Sequence, residues 1–447
     1  SSVSTTVKAT VKSTVSTTKK PSATSVPVTA ATKPATTLAP VTTTTTKPAT
    51  TLAPITTLAP TTTTAPATTE PSTAVTPIIT EKINAVWIYS NDYDGGLLKG
   101  KTEDQFRTNM EKVFANCVSI GVNTAIVAVH PFGDAIYQSD LFAWSSSVTG
   151  TFGAAPGFDP LKIIIQEAKK KGIDIHAWFN PYRLMKEKEI LLLDDTSVIK
   201  RLYNNRENND YIRLINGRWY LNPASAEAQK LILDGIAEIL RKYDVQGIHI
   251  DDYFYPTTDL SFDNYSYAQS GTAMSRGDWR RNNVTTLVAN IYKTIKDING
   301  SAVFGISPAA GIGHNHDNLY ADVELWTSKP GYMDYFCPQI YYGFESQEAP
   351  FVQMADLANS MIKTGKIRLV IGLASYKIGT VDTNAGSGSR EWIDHDDIIP
   401  RQIAYAKTLS DYSGVAFFRY GSMFSNVDGS YINIAKNQTT AIKSALN

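Results

Sequence analysis

From residue 81 onward, short apolar runs ending in polar residues alternate eight times with longer amphipathic stretches. The apolar runs fall at 84–90, 124–129, 173–180, 247–251, 302–307, 334–342, 367–374 and 414–420. The stretches between them carry apolar residues at helical spacing. Phe106, Met110, Val113, Phe114 and Cys117 are one such series, closed by Gly121, and a second is stopped by Gly172. Helices are expected at 102–120, 161–171, 226–243, 283–298, 350–364, 397–409 and 432–446. Strand and helix in strict alternation over residues 81–446 predict an α/β fold, a (β/α)8 TIM barrel with long rim loops, the longest being an insertion at 183–222. An open doubly wound sheet fits less well. No Gly-rich phosphate loop follows any strand, and the polar residues sit at most strand ends rather than at one switch point.

Residues 1–78 have a different character. They are rich in Thr, Ser, Pro and Ala and contain no aromatic residue, and the segment 33–40 recurs unchanged at 47–54. Such a segment cannot bury enough apolar surface to offset its chain entropy, so a disordered, proline-stiffened spacer suited to O-glycosylation is expected. The formal net charge of zero hides an asymmetry. Six lysines against Glu70 give residues 1–78 a charge of +5, which leaves −5 for the rest. A mildly acidic domain without a basic, aromatic-studded patch is not expected to bind nucleic acid. The basic spacer would suit an anionic cell wall. Two cysteines, Cys117 and Cys337, are too few for a disulfide framework and read as core thiols. No apolar run is long enough to span a bilayer. A chain opening at Ser1 on a spacer suggests a processed secreted protein with a further module before it, and a monomer is expected.

The most informative stretch is 246–256, an apolar strand that ends in Asp251-Asp252 and continues into Tyr253-Phe254-Tyr255-Pro256. Period-two alternation puts Ile248 and Ile250 on one face and His249 and Asp251 on the other. The isoleucines would meet the helices, and Asp251 would be delivered inward at the C-terminal rim, where such barrels place their chemistry. A bland alternative is that the aspartates only cap a turn. In the same way His176, Trp178 and Asn180 face inward opposite Ile175, Ala177 and Phe179. Gln339 and Tyr341 share a face that, if the chain stays extended, reaches Glu345. His130, Asp134, Tyr376, Arg419 and Tyr420 lie at other strand ends.

Paired carboxyls among aromatics point to glycoside cleavage, which needs one carboxyl as proton donor and a second to stabilise an oxocarbenium-like transition state. Asp251 and Glu345 form the expected catalytic pair, with Asp252 and Asp134 in reserve. Trp178, Tyr182, Tyr253, Tyr341 and Trp392 could offer flat faces to sugar rings. Asp134, Tyr137, His176, Asn180, Arg183, His249, Gln339, Tyr376 and Arg419 could bind hydroxyls. Core packing explains any single aromatic equally well. His314-Asn315-His316-Asp317 lacks a third ligand group, so no metal and no cofactor are expected. The acidic run 394–397 and Ser225 read as helix caps.

In order, Pro131 to Tyr137, His176 to Arg183, Trp219 to Pro223, Gly247 to Pro256, Gly305 to Pro308 and Pro338 to Glu345 resemble the motifs of the glycosyl hydrolase-like family 10. The resemblance covers nearly all of 81–446. It implies a secreted or envelope glycosidase whose relatives cleave peptidoglycan glycan strands stripped of their stem peptides. It also implies a nucleophilic aspartate at the end of the fourth barrel strand, the position of Asp251. His130 stands where many relatives carry arginine. The competing expectations are a carbohydrate-binding barrel without catalysis and a purely structural surface domain.

Overall fold

The computed structural model describes residues 82–424 and 435–447, so the expected spacer at 1–78 lies outside the described residues. Eleven strands are found among them: β1 (Ile83–Ile88), β2 (Thr124–His130), β3 (Asp174–Phe179), β4 (Arg183–Lys186), β5 (Ile212–Ile215), β6 (Arg218–Leu221), β7 (Gly247–Ile250), β8 (Val303–Ile306), β9 (Tyr335–Phe336), β10 (Arg368–Leu373) and β11 (Tyr412–Phe417). Eight of them close into a parallel barrel in the order β1-β11-β10-β9-β8-β7-β3-β2. Each barrel strand is followed by a helix. The helices are α1 (Glu103–Ser119), α2 (Pro160–Lys170), α3 (Ala226–Lys242), α4 (Arg276–Ile298), α5 (Val323–Ser328), α6 (Phe351–Met361), α7 (Ile398–Ala406) and α8 (Ala435–Leu446). The expected (β/α)8 barrel is therefore the fold.

Local chemistry starts these helices. Thr102 accepts from Gln105 N while the Gln105 side chain returns to Thr102 N, a reciprocal cap at the head of α1. Ser225 Oγ accepts from Ala228 N at 3.1 Å, as expected for the start of α3. The acidic run before α7 behaves otherwise. Asp397 occupies the cap position without a side-chain cap, Asp394 pairs with Arg390, and Asp397 reaches Arg401.

Between β3 and α3 the long insertion folds into a separate antiparallel sheet, β4-β6-β5. Its β5–β6 hairpin turns on Asn216-Gly217, both with positive φ (49° and 76°), the backbone a two-residue turn demands. Trp219, Leu221 and Ile212 bury one side of this sheet.

Alternation in β3 and β7 runs as the sequence predicts. Phe179 points out of the barrel to α3, where Gly235 leaves room: a Cβ there would sit 3.0 Å from the Phe179 ring. His176 and His249 point in, and both Nδ1 atoms meet the Tyr335 hydroxyl of β9, at 2.9 and 2.8 Å. His249 Nε2 meets Ser307 Oγ at 2.8 Å, so both of its ring nitrogens are satisfied at zero exposure. Burial holds both imidazoles neutral, with His176 pushed down to about 3 and His249 driven well below its ordinary range. Room for Tyr335 comes from Gly305 on the neighbouring strand, opposite it in register. A Cβ at Gly305 would lie 1.9 Å from the tyrosine ring.

Gly305→Ala should accordingly cost about 3 kcal/mol, the upper part of the range for overpacking a core. Tyr335 cannot retreat without leaving two buried imidazole nitrogens unpaired. The check is urea denaturation: the midpoint should fall while the slope stays the same.

Candidate functional site

At the C-terminal ends of the barrel strands lies a cavity of 210 Å³. Asp251, Asp252 and Tyr253 follow β7 into it. Trp87 and Tyr89 come from the end of β1, Trp178 from β3 and Ser307 from beyond β8. Gln339 and Tyr341 follow β9, Tyr376 follows β10 and Phe418 follows β11. The walls are aromatic. Tyr89 stacks on Trp178 at 5.3 Å, and Phe418 lies within 6.2 Å of Trp87, Tyr89, Tyr341 and Tyr376.

The two carboxyls in this setting are not equivalent. Asp251 is 3 % exposed, and its Oδ2 has no hydrogen-bond partner. Burial, then repulsion from Asp252, pushes its carboxyl up to about 8. Arg183, the Tyr253 backbone N–H and the Trp178 indole oppose that rise. The indole N–H faces Asp251 without completing a hydrogen bond. Asp252 lies at the half-buried mouth and is also raised, chiefly by burial. A hydrogen bond from Gln339, the backbone N–H of Asp252 itself and the positive charge of Arg183 hold Asp252 down. Burial and the neighbouring acid together disfavour ionising both groups, and Asp251, the more deeply buried, is the one held protonated at neutral pH.

Among the sequence candidates, the fold brings together Asp251, Asp252, Trp178, Tyr253, Gln339, Tyr341 and Tyr376. Arg183 stands beside them, its guanidinium 3.8 Å over the Tyr253 ring. Others are not brought to the cavity. Glu345, the expected second catalytic carboxyl, is 60 % exposed, with His395 Nε2 3.8 Å from its carboxylate. The reason is local. Ile340 N donates to Pro338 O and Tyr341 N to Gln339 O, so the chain leaves β9 through tight turns instead of staying extended. Buried Glu391 then clamps Phe344 N and Glu345 N, which fixes that turn facing outward.

Other candidates are used for structure. Asp134 is buried and accepts from Phe132 N at 2.9 Å, holding the turn after β2. Asn180 accepts from Arg183 N at 3.2 Å. Tyr137, Tyr182 and Trp392 are buried in the core. His176 and His249 lie deeper in the barrel, tied to Tyr335. Arg419 pairs with Asp92. His130 is sandwiched between Phe179 and Phe142 at 3.9 and 4.2 Å.

Sequence reading missed Tyr89, Trp87, Ser307, Phe418 and His314. Tyr89 lies next to last in an expected strand and Ser307 closes one, which is a usable signal. In the sequence His314 reads only as part of a metal-like run, and its loop comes near Asp252 only in three dimensions. Neighbouring His316 pairs with Asp317 at 2.7 Å on the surface.

A profile of the family described as Glycosyl hydrolase-like 10 matches residues 82–390. "Glycosyl hydrolase DigH" of Escherichia coli (strain K12) is 34 % identical over 324 residues, covering 67 % of this chain and 72 % of that protein. "Glycosyl hydrolase YngK" of Bacillus subtilis (strain 168) is 33 % identical over 359 residues, covering 75 % and 68 %. Among solved structures, alpha-L-fucosidase isoenzyme 2 from Paenibacillus thiaminolyticus superposes with a TM-score of 0.51 at 12 % identity, over 81 % of this chain and 49 % of that one. The catalytic domain of beta-amylase from Paenibacillus polymyxa gives a TM-score of 0.50 at 12 % identity, over 81 % and 98 %. At that identity the two structures share the fold alone with this chain.

The raised Asp251 carboxyl has a consequence for stability. Its folded-state value lies above the ordinary 3.8, so its contribution is complete below about pH 4 and is lost as pH rises through about 8. Asp251→Asn removes that loss. The variant should gain on the wild type between pH 4 and pH 8 by up to about 1.4 kcal/mol per pH unit. Thermal unfolding across that range checks it; a gap that shrinks with pH would contradict the assignment.

Proposed function

The chain belongs to the glycosyl hydrolase-like 10 family and is a glycoside hydrolase; on that premise we propose that it is secreted and cuts the glycan strands of a cell-wall polysaccharide, peptidoglycan by preference, with Asp251 and Asp252 as its working carboxyls. The observation that carries the reading is a pair of adjacent, unequally buried carboxyls lining an aromatic cavity. A sugar ring seated against Trp178, Tyr89 and Tyr341 covers apolar surface that water solvates poorly. It also brings its glycosidic oxygen to the unpartnered Oδ2 of Asp251.

Asp251 holds the position that the resemblance gives to a nucleophile, but its raised carboxyl suits it to the acid's role: it donates its proton to the leaving oxygen as the C1–O bond breaks. The Asp252 carboxylate, kept ionised by Gln339 and Arg183, faces the positive charge that develops at C1, and a water molecule that gives its proton to Asp252 adds there to complete the hydrolysis. As Asp251 loses its proton it comes under the same Arg183 charge, so the guanidinium works harder late in the step than before it. Raising one carboxyl above neutrality while restraining its neighbour assigns acid and base without a third residue. Secretion and the wall as target find support in the Thr/Pro-rich composition and the charge of +5 at residues 1–78, together with the motif resemblance to glycosidases of peptidoglycan strands.

Asp251→Asn and Asp252→Asn should each lower kcat by at least about a hundredfold, the lower range for loss of an acid or base. Glu345→Gln should stay within a few-fold of wild type. Release of reducing ends from denuded peptidoglycan, chitin and plant polysaccharides, read by mass spectrometry, is the assay. Full activity in both aspartate variants would sink the proposal.

A further inference from the structure

The small sheet in the insertion carries charge that the hydrolytic step leaves unused. Its register sets Arg183 of β4 opposite Tyr220 of β6, and Tyr220 opposite Arg213 of β5. Residues directly opposite share a face, and so does Arg218, two positions before Tyr220. Trp219, Leu221 and Ile212 bury the other face, which leaves the arginine face partly open.

This row begins at the cavity. Arg183 lies over the ring of Tyr253, next to the two aspartates, and 5.0 Å from the ring of Phe132. Arg218 sits over the same Phe132 ring at 4.1 Å. Two guanidiniums thus share one aromatic platform. Burial and the Arg183 charge hold Arg218 below its ordinary range, while Glu189 and Asp134 act on it only from a distance. None of Arg183, Arg213 and Arg218 has a carboxylate ion pair among the described residues, whereas Arg276, Arg280, Arg281 and Arg419 each have one. Arg183 Nε is buried without a partner. Arg218 spends one amino group on Leu184 O, and Arg213 spends its Nε on Phe262 O, so fork positions remain for a ligand.

Like charges gathered on a half-buried face cost stability unless an anion joins them. We propose that the substrate path runs from the cavity onto this face, where Arg183, Arg218 and Arg213 form a subsite for carboxylate groups carried by the glycan, with Tyr220 beneath the sugar ring. The inference rests on the proposed hydrolase reading and narrows its substrate class to a polyanionic glycan. Guanidinium forks match carboxylates in bidentate geometry, and the tyrosine ring supplies the flat apolar contact between them.

The test uses the full chain and denuded peptidoglycan strands, with half of the sample's carboxyls reduced to alcohols by carbodiimide and borohydride. Wild-type enzyme at low salt should show kcat/KM about tenfold higher on native strands, mostly through KM, with the advantage fading as salt rises. Arg213→Gln and Arg218→Gln should each narrow the ratio between native and reduced strands. The wild-type comparison stands even where a variant fails to fold. Equal kcat/KM on the two substrates overturns the subsite and leaves the hydrolase intact. Cleavage of chitin oligosaccharides with neither peptidoglycan sample cut overturns the anionic substrate class. No cleavage of any glycan brings down the hydrolase reading and this inference with it.

Discussion

One hydroxyl organises the centre of this barrel. Tyr335 bridges His176 and His249, and those two imidazoles, with Gly305 beside them, fill the layer beneath the catalytic mouth. A buried donor or acceptor left unpaired costs about 1–3 kcal/mol, so a polar layer of this kind holds only when every member is satisfied. Ser307 completes the set through His249 Nε2. Ser307 also lines the cavity, as does Trp87, which packs edge-on against His249, so the packed interior and the reacting surface meet at these two side chains.

That layer sets the conditions above it. The neutral imidazoles give Asp251 no positive charge from below, and the aromatic walls exclude solvent from the sides. Arg183 approaches it as a cation from the rim, and burial outweighs that help. The acid is therefore made by what surrounds it rather than by a dedicated partner. The cost appears as lost stability at neutral pH, the usual exchange at a site that must keep a proton where a carboxyl would shed it.

Much of this was legible in the sequence where periodicity was strict. β3 and β7 are buried on both faces, so alternation placed Phe179 outward and His249 and Asp251 inward. Prediction failed where the chain stops being regular. β9 is only two residues long, and the turns at Pro338 and Gln339 broke the parity that would have carried Glu345 to the mouth. Strand-end polarity also says nothing about reach: Asp134, Asn180 and Arg419 sit at strand ends, yet their side chains turn back to the backbone or to Asp92. One signal was present but unused. Asn216-Gly217 between two short apolar runs marks a hairpin, and the hairpin builds the sheet that flanks the cavity.

The sheet and the barrel face change very differently. Gly305 and Tyr335 interlock, so neither can be exchanged without the other. The β4–β6 insertion enters after β3, returns before α3, and pairs only within itself. Apart from Arg183, which acts on the two aspartates, its outward residues can therefore be rewritten singly without moving any barrel strand. Diversification should concentrate there, with the chemistry held constant and the diet free to drift.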